Sequence, residues 1–405
     1  MTVPDGATTD TSAAPRPDRA LAPDLARGVM LALIAVANVG IYLYDRPYGM
    51  RQHVLSPEWW DRVASGVVVG AVDSRAYPLF AALFGYGVAR IAARASAAGS
   101  GGDAEARRRV RRRGLALLVF GAGHALLLFS GDVLGAYGLV SLLLVAFLRS
   151  SDKVLLRVAV ATAVVTPFVQ GVTMADPGPT AERTLFWSVA IADPLEAMAW
   201  RAPEWLIGTV GMVGVVPAAL IGLWAGRRRI LDRPADHRPL LRGWAVGGIA
   251  AGLVGGLPAA LVVAEVWHPA GATATLVSVL HVATGLLGGL GYAAAIALFS
   301  LRRRGRASRL THALAATGER SLTCYLAQSV VFVALLPAWT LGLGARIWPA
   351  ASVALALACW GLTVVLAVVL ARRGSRGAAE TLLRRSYATP SRAVGGSSAP
   401  VGAGR

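Results

Sequence analysis

Apolar residues run along this chain in long blocks, not at the two-residue period of a half-buried strand. The blocks fall at 26–44, 64–89, 114–131, 133–148, 154–170, 204–226, 243–264, 276–301, 321–337 and 349–371. A helix rises about 1.5 Å per residue, so blocks of this kind match the roughly 30 Å of hydrocarbon in a bilayer. The pattern predicts an all-α, polytopic transmembrane helix bundle of about ten spans. The two blocks flanking Asp132 also read as one long hairpin, which leaves nine or eleven spans open.

Composition sharpens this picture. Of 405 residues, 55% are hydrophobic and 15% charged, and the mean hydropathy is +0.57. A soluble fold of this length needs a polar surface that such a chain lacks. The net charge of +18 raises the idea of a nucleic-acid partner, but the placement of the charges argues against it. Lys and Arg concentrate in 1–27, 90–113, 149–157, 227–242, 302–320 and 372–405, which hold 33 of the 40. The intervening segments 45–62, 171–203 and 338–348 hold six, and Arg75 lies inside a span. Alternate loops are therefore basic, which predicts a plasma-membrane protein with both termini cytoplasmic. Runs such as Arg107–Arg113 and Arg302–Arg306 read as anchors against anionic headgroups, without the aromatic interleaving of a nucleic-acid surface.

The single transmembrane domain is expected over 24–388, with disordered cytoplasmic tails at 1–23 and 389–405, both poor in large apolar residues. The segment 171–203, with Asp176, Pro177, Gly178, Pro179, Asp193 and Pro194, is expected to cap the outer face as loop and short helix. Cys324 and Cys359 both lie in spans and define neither a disulfide framework nor a metal motif.

Polar groups inside spans are the candidates for chemistry, because hydrocarbon penalises them unless they are paired. Asn38 and His124 each lie eleven residues past a basic flank, Arg27 and Arg113, which puts both near mid-membrane. Asp73, Arg75, Asp132 and His281 fall toward the outer side, and Gln328 approaches from the inner side. A histidine, a carboxylate and an arginine together suit proton transfer beside a bound anion. The bland alternatives are equally concrete. His281, Asn38 and Gln328 suit interhelical hydrogen bonds, and Asp73 with Arg75 suits a structural ion pair. Pro78, one turn later, marks that span as broken.

Five motifs in order resemble the YeiB-like bacterial membrane proteins, a family catalogued as a domain of unknown function. They are LAPDLARGVMLALIAVAN (21–38), RAYPLFAALFGYG (75–87), GAGHALLLFSGDVLGAYGLV (121–140), GERSLTCYLAQS (318–329) and GAAETLLRR (377–385). Arg75 replaces a lysine of the family pattern, Glu319 an arginine and Cys324 an asparagine, and the last motif is a worn copy. Through its opening arginine–glycine helix the family is similar to transmembrane acyltransferases of the heparan-glucosaminide acetyltransferase type. That resemblance implies an acyl donor, such as acyl-coenzyme A, and an envelope or small-molecule acceptor. His124 and Asp132 are then the expected catalytic residues, with Arg75, Asp73, Asn38, Tyr137 and Gln328 expected to bind substrate. The cytoplasmic arginines 107–113 are placed to attract a donor phosphate. The alternative is a small-solute or lipid transporter using the same residues as a proton relay. Transporters commonly carry broken helices in corresponding halves, and the sequence marks only one, at Asp73–Pro78.

Overall fold

A computed structural model describes residues 21–97, 102–173, 183–303 and 308–387. The tails 1–20 and 388–405, the run 174–182 with Asp176–Pro179, and residues 98–101 and 304–307 lie outside the described residues. The helices are α1 (Leu21–Val39), α2 (Trp59–Ala71), α3 (Ala76–Ala97), α4 (Gly102–Leu127), α5 (Val133–Phe147), α6 (Asp152–Thr173), α7 (Pro194–Gly211), α8 (Val216–Arg227), α9 (Arg238–Gly243), α10 (Ile249–Val263), α11 (Gly271–Arg302), α12 (Arg309–Glu319), α13 (Ser321–Leu335), α14 (Pro349–Arg372) and α15 (Ala378–Tyr387). Among the described residues no strand forms, only an isolated bridge between Tyr48 and Val54.

Each apolar block coincides with a helix or a helix pair. Among the described residues six segments are long and apolar enough to cross a membrane: Leu21–Tyr42, Trp59–Ala97, Asp152–Thr173, Arg238–Val263, Gly271–Arg302 and Pro349–Arg372. The pair α7–α8 makes a seventh if its 58° bend is one broken span. The helices α5 and α13 have only 15 residues each, short of the roughly 20 that span a hydrocarbon core. Arginines crowd the first half of α4, and among the described residues fewer helices are long and apolar enough to span than the ten expected.

Three expectations change in detail. Leu21, Ala22 and Pro23, expected in the tail, belong to α1. The segment after 171 holds the 18-residue α7, whose Asp193 side chain accepts hydrogen bonds from the Leu195 and Glu196 amides at 2.9 and 2.8 Å. The break in the second block is not made by Pro78, which sits in the first turn of α3 where a proline removes no helical hydrogen bond. It is made at Val72–Arg75, where Ser74 takes a left-handed φ of 58°.

The exterior is apolar and much of the polar chemistry is inside. Val119, Val164 and Val254 are among many exposed aliphatics, while Arg75, His124, Asp132, Glu204 and His281 are buried. Glycines let helices meet backbone to backbone. Between α3 and α8, a Cβ on Gly85 or on Gly222 would fall 2.0 Å from the carbonyl oxygen of Ala219 or of Ala82. Such small-residue contacts replace the hydrophobic driving force that hydrocarbon does not provide.

Candidate functional site

The most specific motif folds into the tightest constellation. His124 lies on the last turn of α4, and the amides of Leu128 and Phe129 both return to its carbonyl, at 2.8 and 3.0 Å, closing the helix. The chain reverses through Ser130 and Gly131, and Asp132 starts α5 as its N-cap, with Oδ2 accepting from the Gly135 amide at 2.6 Å. The turn brings Asp132 Oδ1 to 2.9 Å from His124 Nδ1, with both side chains almost wholly buried. Gly121, one turn before His124, makes this possible. A Cβ there would lie 2.3 Å from the Gly135 nitrogen and 2.5 Å from Asp132 Oδ2.

Two distant aromatic residues complete the setting. Trp205 of α7 donates from Nε1 to Asp132 Oδ2 at 3.4 Å. The Tyr325 ring of α13 lies 5.2 Å from the imidazole, and its hydroxyl oxygen accepts from the Val133 amide at 3.4 Å. Asp132 Oδ2 is thus held by two donors while Oδ1 faces the imidazole. The Nδ1–Oδ1 approach is close but not aligned as a hydrogen bond, and His124 Nε2 has no partner among the described residues. Catalytic hydrogen bonds are commonly loose before substrate binds. Beside this pair, Glu204 is a second buried carboxylate, accepting from Ser130 Oγ at 2.5 Å and from Ser188 Oγ at 2.6 Å.

A second cluster gathers at the α2–α3 break. The carboxylate of Asp73 pairs with Arg51, whose Nε lies 2.6 Å from Oδ2, and with His281 Nε2 at 3.5 Å. Arg75 does not pair with that carboxylate. Its guanidinium donates to the carbonyls of Val69 at 2.9 Å, Asp73 at 2.6 Å and Gly252, and lies 3.3 Å from His281 Nδ1. The expected Asp73–Arg75 ion pair is therefore replaced by Asp73–Arg51. The broken helix exposes carbonyls that a buried guanidinium satisfies better than any other side chain. Arg51 and Ser74, both beside the Asp73 carboxylate, and Gln52, next in the chain to Arg51, have φ values of 55°, 58° and 57°. Non-glycine residues held in this region mark strain that surrounding contacts must sustain. His53 faces the same carboxylate from the 43–58 connection, and burial holds its pKa at about 4 against the opposing pull of Asp73.

The remaining expected residues flank these clusters. Asn38 Oδ1 accepts from the Tyr77 hydroxyl at 2.7 Å, and the Tyr137 hydroxyl donates to the Tyr77 carbonyl at 3.1 Å. Gln328 turns aside, donating to Thr363 of α14 at 3.4 Å. Cys324 and Cys359 are free and buried. Sequence reasoning missed Arg51, Trp205 and Glu204, which belong to no motif. Tyr325 sits inside the quoted motif at 318–329, so its signal was present in the sequence but not used.

Fold and site together define an all-helical protein of multi-pass membrane type that keeps a buried histidine–carboxylate pair among its helices. Residues 225–389 match the model of a family described as "Protein of unknown function (DUF418)", and the YeiB-like resemblance fits that family. Over 400 residues the chain is 24% identical to the uncharacterized protein YxaH of Bacillus subtilis (strain 168), covering 89% of this chain and 92% of that one.

Proposed function

We propose that this chain is a DUF418-type plasma-membrane protein with about ten spans, both termini in the cytoplasm, and a membrane-embedded acid–base centre at His124 that serves acyl transfer. One observation carries the reading. The carboxylate of Asp132, fixed by the Gly135 amide and Trp205, faces Nδ1 of a buried imidazole whose Nε2 has no partner among the described residues. With the proton on Nδ1, Nε2 offers a lone pair, and the carboxylate stabilises the imidazolium that forms.

In the proposed step, an acceptor hydroxyl or amine gives its proton to Nε2 as its oxygen or nitrogen attacks the carbonyl carbon of an acyl thioester of the coenzyme A class. The new acyl bond forms, the C–S bond breaks, and the departing thiolate takes the proton back from the imidazolium. A positioned base of this kind contributes about 10² to 10⁴ in rate. Arg75 is a positioning residue here, since its donors already hold backbone carbonyls. The acceptor is an envelope or small-molecule species. The expected test uses a deletion strain, untargeted mass spectrometry of its lipids and envelope glycans, and complementation. His124→Gln should insert and fold, because an amide still offers a donor and an acceptor, yet fail to restore the missing acylated species. Full restoration by His124→Gln would sink the reading.

One observation favours the transport alternative. The 58° bend at α7–α8 is a second interrupted segment, the counterpart that the sequence did not mark. On that reading the buried polar residues are a proton relay, and the deletion strain accumulates a solute instead of losing an acylated product.

A further inference from the structure

At the arginine-rich end of the bundle, far along α4 from His124, a cavity of about 530 Å³ opens between α3, α4, α8 and the α5–α6 turn. Six arginines line it: Arg90, Arg94, Arg107, Arg149, Arg227 and Arg229. Three carboxylates answer them and all are already engaged. Asp232 pairs with Arg90 at 3.0 Å and lies 3.9 Å from Arg229. Asp152 serves Arg227 and Arg228, and Asp103 serves Arg149. Arg227 also closes the end of α5 by donating to the carbonyls of Phe147 and Ser150 at 2.5 and 2.7 Å. Arg94 and Arg107 have no ion pair among the described residues. The wall between them is built of small side chains, among them Ala89 and Ala93, which leaves the room the guanidinium groups surround.

Loop topology explains how many arginines this end carries, but not why six converge on one concavity. Arg111 and Arg112 on the same α4 show the contrast, since they do not line the cavity. The volume is that of a small-ligand pocket, and the guanidinium fork matches the oxygens of a phosphate. We infer that this cavity is a binding site for a phosphate-bearing anion, held chiefly by Arg94 and Arg107. The ligand chemistry comes from one of two sources, a soluble phosphorylated compound or an anionic lipid headgroup. The inference stands whether or not His124 is a base.

The test uses the full chain in phosphatidylcholine nanodiscs, reading the thermal unfolding midpoint during titration with inorganic pyrophosphate. A parallel arm replaces part of the lipid with phosphatidylglycerol. A saturable rise is expected in one arm: with pyrophosphate for a soluble ligand, with phosphatidylglycerol for a headgroup. Arg94→Gln and Arg107→Gln should each weaken half-saturation by about tenfold, the worth of one charge-assisted hydrogen bond. Both side chains are exposed, so the unliganded midpoint should not move. Arg111→Gln with Arg112→Gln should leave half-saturation unchanged. No saturable rise in either arm overturns the site, as does an equal loss in the Arg111/Arg112 control.

Discussion

Asp132 carries two duties that substitution separates. As N-cap it holds the Gly135 amide, and as a charge it faces His124. Asparagine caps a helix about as well as aspartate, whereas alanine loses about 1 kcal/mol of helix stability. Asp132→Asn should therefore melt like the parent protein yet lose activity, though less than His124→Gln does, while Asp132→Ala should lose both. A melting point lowered equally by Asn and Ala would assign the stability to the charge and remove the cap from the account. His53 makes a second prediction at this scale. Its imidazole stays neutral in the folded protein down to about pH 4, while an unfolded histidine takes its proton near 6.5. Stability from this group is complete above pH 6.5 and falls as the pH drops from there toward 4. Thermal melts across that window should show a shallower decline for His53→Gln than for the parent. Parallel declines would assign the acid sensitivity elsewhere.

At the scale of elements, glycines decide where helices touch. Gly121 and Gly123 look alike in the sequence, and both invite the reading of a close helix approach. Only Gly121 meets the start of α5, because a Cβ on Gly123 has nothing within 4 Å. Gly121→Ala should cost about 1 to 3 kcal/mol through overpacking and should disturb the His124–Asp132 pair. Gly123→Ala should be neutral or stabilising by up to about 1 kcal/mol, since alanine favours helix. Equal effects from the two, measured by thermal unfolding, would contradict the α4–α5 contact. The same logic explains two other motif glycines. A Cβ on Gly28 would fall 2.1 Å from the Leu314 oxygen, and one on Gly318 would fall 1.7 Å from the Asp24 oxygen, so α1 and α12 meet directly. In the worn terminal motif, Glu380 of α15 accepts from the Leu322 and Thr323 amides at 2.7 and 3.0 Å, covering the start of α13.

For the whole molecule, the proposed topology follows from the division of charge, and reporter fusions check it. Fusions after Arg109, Arg229 and Arg376 should read cytoplasmic, and one after Ala190, in the short helical turn Trp187–Ala190, should read external. A cytoplasmic signal from Ala190 would overturn the arrangement. Much of this architecture is legible in the chain itself. Apolar blocks locate the helices because hydrocarbon forces each segment to satisfy its backbone internally, which is a local requirement. The His124–Asp132 pair is legible for a related reason, since eight residues and a glycine at 131 are enough to fold one side chain back on the other. What the tertiary structure alone decides is which distant partner answers each buried group. Tyr325 reaches Val133 across 192 positions, and Trp205 reaches Asp132 across 73. Arg51, not the neighbouring Arg75, takes the Asp73 carboxylate, because the break at Val72–Arg75 turns Arg75 onto bare carbonyls. The bend at α7–α8 is likewise absent from the hydropathy pattern. Contacts between segments that meet only by packing leave no period or spacing in the sequence, and the environment of a buried charge is fixed only when the helices close around it.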